Sequence, residues 1–206
     1  MHPEERFNTW THFSGALLAL GGASVLIVLA ALQEDPWKIV SFSIYGTTLI
    51  LLYSISTLYH NAAYGKFKKF MQKADHNSIY LLIAGSYTPF TLVTLRGSWG
   101  WSLFGVVWGL AIFGMMQESW FPTRSRWLSM VIYLLMGWVA LVAVVPLINV
   151  LSWTGFLWVA GGGIAYTTGV IFFLNDHKFR HFHGIWHLFV IAGSVLHYFA
   201  ILLYVA

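Results

Sequence analysis

Residues 127–148 read WLSMVIYLLMGWVALVAVVPLI and residues 152–173 read SWTGFLWVAGGGIAYTTGVIFF, and no charged side chain lies between Arg126 and Asp176. A helix that crosses the hydrocarbon core of a bilayer needs roughly 20 mostly apolar residues. Both runs have that length and are apolar on every face, unlike the alternating strands of about 10 residues that build a membrane barrel. Runs of the same kind occupy 11–32, 38–60, 77–95, 99–118 and 185–205. The breaks carry turn and charge signals: QEDP at 33–36, GKFKKFMQK at 65–73, RGS at 96–98, PTRSR at 122–126, then 149–153 and 175–183. The expectation is an all-α polytopic membrane protein, a single seven-helix transmembrane domain over 1–206.

The composition agrees. Hydrophobic residues make up 58% of the 206 residues and charged ones 9%, against about 25% charged in a soluble domain. A disordered tail, a nucleic-acid-binding domain and a collagen-like chain are excluded, and the bilayer is the expected partner. Cysteine is absent, which removes disulfides, thiolate metal sites and a Cys nucleophile. The start lacks the basic region of a cleaved signal peptide, so the first span reads as permanent.

Charge placement sets an expected orientation. Lys and Arg favour the cytoplasmic side of short loops. With the N-terminus inside, the inner segments hold Arg6, Lys66, Lys68, Lys69, Lys73, Arg124, Arg126, Lys178 and Arg180, and the outer ones only Lys38 and Arg96. The N-terminus is therefore expected in the cytoplasm and the C-terminus outside, in the cytoplasmic (inner) membrane. Trp10, Trp37, Trp99, Trp101, Trp120, Trp127, Trp153 and Trp186 fall near span ends, where indoles prefer the interface. Gly105-x-x-x-Gly109 reads as close packing inside the bundle. Gly161-Gly162-Gly163 reads as close packing too, and Pro89 as a kink.

Ionisable residues within spans are costly and by default functional. His60 closes the second span, Asp75 opens the third, and His183 and His187 open the seventh; all four ends face the cytoplasm in this topology. His183 and His187 are four apart and share a helix face. With His60 they make three imidazoles and leave a fourth tetrahedral position open, the pattern of a catalytic zinc. Asp75 is the carboxylate placed to handle a proton there. Ser56, one turn before His60, could orient water or bind a carbonyl oxygen.

The other histidines divide. His2, His177 and His181 read as interfacial. His76 points about 100° from Asp75 on a helix and reads as a supporting or loop residue. His12 shares a face with Asn8 and reads as packing or site lining. His197 lies about 15 Å deeper than His187 by helical rise and reads as a buried, hydrogen-bonded residue more than a ligand. No lysine lies mid-span, which excludes a retinal Schiff base. Glu4, Glu5, Glu34 and Glu118 are terminal or near span ends, unlike the glutamates of a di-iron bundle.

Ser56-x-x-x-His60, Ala74-Asp75-His76 running into Ile83-Ala84-Gly85-Ser86-Tyr87-Thr88-Pro89-Phe90, and His183-x-x-x-His187 followed by His197-Tyr198 resemble the haemolysin III-like proteins. These are the bacterial branch of the progestin and adipoQ receptor family. Glu5, Asn8, Thr11-His12 and Gly15 resemble that branch as well, so the likeness covers essentially the whole chain. It implies seven spans with the N-terminus inside, and a zinc ion near the cytoplasmic face on His60, His183 and His187. It further implies an aspartate reaching the metal through water, here Asp75, and the family serine, here Ser56. The superfamily includes alkaline ceramidases, which implies hydrolysis of a lipid amide or ester. Haemolytic activity and regulation of membrane homeostasis with structural zinc are the alternatives it leaves open.

Overall fold

A computed structural model describes residues 5–120 and 126–206, and these form helices joined by short turns. In chain order they are α1 (Glu5–Leu32), α2 (Pro36–Asn61), α3 (Lys66–Pro89), α4 (Ser98–Trp120), α5 (Arg126–Trp138), α6 (Val144–Leu174) and α7 (Phe182–Tyr204). The expected break at 122–125, with Arg124, and the expectations for His2 and Glu4 lie outside the described residues.

Among the described residues, five segments are long and apolar enough to cross a membrane: Glu5–Leu32, Pro36–Asn61, Ser98–Trp120, Trp127–Leu174 and Phe182–Tyr204. Their outward faces carry exposed Leu17, Leu18, Val28, Ile112, Leu157 and Ile164, an apolar surface suited to lipid rather than water. α3 stands apart because Lys66, Lys68, Lys69, Lys73 and Asp75 fill its first half. The chain is thus a multi-pass, all-helical membrane protein.

The longest of these segments is two arms. Ser152 takes φ 64° and ψ 170° inside α6, a conformation no helix continues through. Trp138 Nε1 donates to Thr167 Oγ1 at 3.1 Å, and the indole of Trp138 lies against Gly163. Those pairs are nearly symmetric about Ser152, so the arms run antiparallel. Before the turn, Val139–Ala143 tighten to a 3₁₀ stretch. Pro146 explains it, since its ring displaces the carbonyl four residues back and its nitrogen donates nothing. At the end of α3, directly after Pro89, Phe90–Thr94 form a π-helical turn.

Capping follows local chemistry. The Asp35 carboxylate accepts from the backbone N–H of Trp37 at 2.9 Å and of Lys38 at 3.2 Å, with Pro36 at the first helical position. The helices pack as neighbours α1–α2–α3–α4, with α6 on α7 and α7 back on α1. The last contact brings the start of α1 beside the start of α7, and this decides the site.

Two packing expectations fail. Gly105 and Gly109 meet nothing within 4 Å of a built Cβ; their face of α4 points outward. Trp186 is buried against Phe173, ring centroids 4.5 Å apart, rather than at an interface. The glycine triplet does pack, since a Cβ on Gly162 would run into the His197 ring.

Candidate metal centre

His60 stands one residue before the end of α2, and His183 and His187 occupy the first two turns of α7. One nitrogen from each lies within 4.8 Å of the others. His60 and His187 are buried and His183 half-buried. In all three rings Nε2 is buried with no hydrogen-bond partner among the described residues.

The opposite nitrogens are held. His60 Nδ1 donates to Glu5 Oε2 at 2.6 Å, and His183 Nδ1 donates to Asp176 Oδ2 at 2.8 Å. His187 Nδ1 lies 3.2 Å from the Asn8 carbonyl and 3.1 Å from Thr11 Oγ1. Carboxylate and carbonyl oxygens only accept, so each Nδ1 carries the proton and each Nε2 keeps its lone pair. Acceptors of this kind orient imidazole ligands and raise their basicity. Three buried lone pairs without partners cost free energy unless something fills them. The donor set therefore fits a divalent metal ion, and zinc is among those that imidazole suits.

Supporting groups tie the centre to every nearby element. Glu5 Oε1 accepts from Lys68 Nζ of α3 at 3.1 Å, and Glu5 Oε2 also accepts from Asn8 Nδ2 at 3.1 Å. Asp176 comes from the α6–α7 turn, which closes through His181 in a left-handed conformation, φ 68° and ψ −3°. A polar vestibule of about 380 Å³ leads to His183 past Glu5, Asn8, Asp176, Lys178 and Arg180. Exposed His177 and His181 rim it.

On the other side lies an apolar cavity of about 120 Å³, lined in part by Asp75, His12, Ile83, Trp186 and His197. His12 stacks on His187, centroids 3.6 Å apart and planes at 13°, so cavity and centre adjoin. Both nitrogens of His12 are buried and unpartnered among the described residues. Asp75 is a buried part of the cavity wall. Ser56 is fully buried one turn from His60.

His76 is not drawn toward the centre. Its Nδ1 donates to Glu118 Oε1 at 2.9 Å; Glu118 also accepts from Ser129 Oγ at 3.0 Å, and Tyr133 OH donates to the His76 carbonyl at 2.9 Å. This second polar cluster pins α3, α4 and α5. His197 Nε2 donates to the Val159 carbonyl at 3.0 Å.

Asp75 stood out as the one well-placed acid, whereas Glu5 and Asp176 hold the rings. The signal for Glu5 was present: Glu5, Asn8, Thr11 and His12 recur at helical spacing, a polar stripe on an apolar helix. Asp176 carried none, because a turn rather than a helix period delivers it.

"Hemolysin-3" of Bacillus cereus is 43% identical over 202 residues, covering 98% of this chain and 92% of that protein. "Hemolysin-3 homolog" of Bacillus subtilis (strain 168) is 43% identical over 201 residues, covering 98% and 94%. "Monocyte to macrophage differentiation factor" of Homo sapiens is 29% identical over 203 residues, covering 96% and 83%. The family described as Haemolysin-III related matches residues 2–198, a range that takes in α1 with Glu5, the α2 and α7 histidines and the turn bearing Asp176. On that match and those identities, the chain belongs to the haemolysin-III related family.

Proposed function

We propose that this protein is a zinc-dependent hydrolase of a lipid amide or ester, working inside a bundle that crosses the membrane seven times with its N-terminus in the cytoplasm. The observation that carries the reading is the junction of an open three-imidazole centre with an apolar cavity that also holds a buried carboxylate. Zinc in such a site supplies Lewis-acid polarisation of a carbonyl and activation of water. The chain's own residues do the rest. The cavity takes the apolar chain and excludes water from it. Asp75 accepts a proton from water and returns it to the leaving group. The Ser56 hydroxyl donates to the carbonyl oxygen, and Glu5, Asp176 and Thr11 hold the rings still.

Charge supports the orientation. Lys66, Lys68, Lys69, Lys73, Lys178 and Arg180 sit on the side of the vestibule, and Lys38 and Arg96 on the other. Arg96 lies over the Trp37 ring at 4.1 Å, so the two outer turns share one end of the bundle. α3 becomes a crossing on this reading, its apolar half buried against α2 and α4. The cytoplasmic (inner) membrane is the matching location.

A second reading has its own support. Supporting contacts from α1, α3 and the α6–α7 turn converge on the three rings, so zinc could serve as a structural clamp in a regulator of membrane homeostasis. The name "Hemolysin-3" carried by the Bacillus cereus relative adds membrane permeabilisation to that alternative. Purified protein incubated with a panel of ceramides and acyl lipids decides. Product formation that disappears with zinc supports the hydrolase, and zinc retention without cleavage of any lipid supports the clamp.

A further inference from the structure

The first half of α3 presents two unlike faces. Inward, Lys68 is buried, its Nζ donating to Glu5 Oε1 at 3.1 Å and lying over the rings of Tyr59 and Tyr64 at 5.0 and 5.3 Å. Outward, Lys66, Lys69 and Lys73 are exposed at spacings of three and four, so they form one stripe. Among the described residues no carboxylate lies in ion-pair range of any of the three. Of their ammonium groups only that of Lys73 meets a described acceptor, the Ser119 carbonyl at 3.4 Å. Phe70 borders the stripe at 63% exposure, and Phe67 flanks it at 58%.

Lysines spaced this way repel one another, and exposed phenyl rings are unfavourable in water. A soluble phosphate answers the charges but leaves the rings wet. The headgroup layer of a bilayer answers both, because anionic phosphates pair with lysines there and rings rest on the acyl boundary. The stripe has the height for it. It covers about 10 Å of helix, and past Ser78 the sequence turns apolar with Ile79-Tyr80-Leu81-Leu82-Ile83. The same turns are lightly anchored. From Lys66 through Ala74 only Lys68 is fully buried, and the polar ties are Lys68 to Glu5 and Gln72 Nε2 to Tyr59 OH at 3.2 Å. Glu5 in turn holds His60, so a ligand that steadies the outer face also steadies this series of contacts. We infer that Lys66, Lys69 and Lys73, with Phe67 and Phe70, form a binding site for the phosphate headgroups of anionic phospholipids, and that lipid bound there tightens metal binding through Lys68, Glu5 and His60. The lipid site stands on this surface alone; the coupling rests on the reading of the three histidines as a zinc centre.

The test has two readouts. Native mass spectrometry of the detergent-purified protein counts the phosphatidylglycerol and phosphatidylcholine, of equal chain length, that it retains from an equimolar mixture. The wild type is expected to retain phosphatidylglycerol about tenfold more strongly. Lys66→Gln/Lys69→Gln/Lys73→Gln should bring the ratio to about one, and Lys66→Arg/Lys69→Arg/Lys73→Arg should keep it. Glycerol phosphate should displace no more lipid than sodium chloride of equal ionic strength. The second readout is zinc Kd by chelator competition in nanodiscs. Replacing a third of the phosphatidylcholine with phosphatidylglycerol should tighten zinc binding about fivefold more in the wild type than in the glutamine variant; the surface charge of the disc acts on both. Equal retention of the two lipids by the wild type, a preference that survives the glutamine variant, or specific displacement by glycerol phosphate overturns the lipid site. An equal gain in zinc affinity in both proteins overturns the coupling and leaves the site standing. If neither protein binds zinc, the coupling falls with the metal reading, and the lipid ratio still decides the site.

Discussion

His60 Nδ1 and Glu5 Oε2 are 2.6 Å apart, a contact that joins the last turn of α2 to the first of α1 across 55 residues. Glu5 also meets Lys68, so one carboxylate couples a metal-ligand candidate to a buried lysine. Glu5→Gln keeps the shape and removes the charge. Its zinc affinity should fall about 10–100-fold, the usual effect of losing such a partner. Competition with a fluorescent chelator measures it, and an unchanged Kd would show that Glu5 is only a helix clamp.

The metal centre predicts a paired loss. Elemental analysis of the detergent-purified wild type should give about one zinc per chain, a stoichiometry set by the one three-imidazole group among the described residues. His183→Ala/His187→Ala should give none. Because a ligand that binds only the folded state stabilises it by mass action, a chelator should lower the melting temperature of the wild type and leave that of the double variant unmoved.

Asp75→Asn separates the two functional readings. On the hydrolase reading zinc stays and turnover of the cleaved lipid falls about 10²–10⁴-fold, the range for a lost general base. If function survives with zinc bound, the centre is a clamp.

The cluster of His76, Glu118, Ser129 and Tyr133 predicts the opposite pattern. Glu118 is 1% exposed, and truncating it leaves the groups around it unpaired in the bundle. Glu118→Ala should destabilise the protein by about 2–4 kcal/mol while zinc content stays at the wild-type value. Thermal unfolding and metal analysis of the same preparation check both halves.

The natural absence of cysteine makes orientation testable with single thiols. Lys69→Cys should react with an impermeant maleimide only when the cytoplasmic face is opened, and Arg96→Cys in intact cells. The reverse labelling would invert the proposed topology.

The apolar runs determined by themselves that the chain is helical and lies in a membrane, because in lipid a backbone must satisfy its own hydrogen bonds. Local spacing likewise put His183 and His187 on one face and a break at residues 33–36 between α1 and α2. Packing decided the rest. It sent His76 to Glu118 rather than toward the triad, and it left Gly105 and Gly109 facing outward. Only the seating of α1 against α7 gave His60 its Glu5 and His187 its Thr11, and only the turn through His181 gave His183 its Asp176. Helical periodicity reaches a few residues along one rod, whereas those partners sit on different rods, and which rods touch depends on how their whole faces fit.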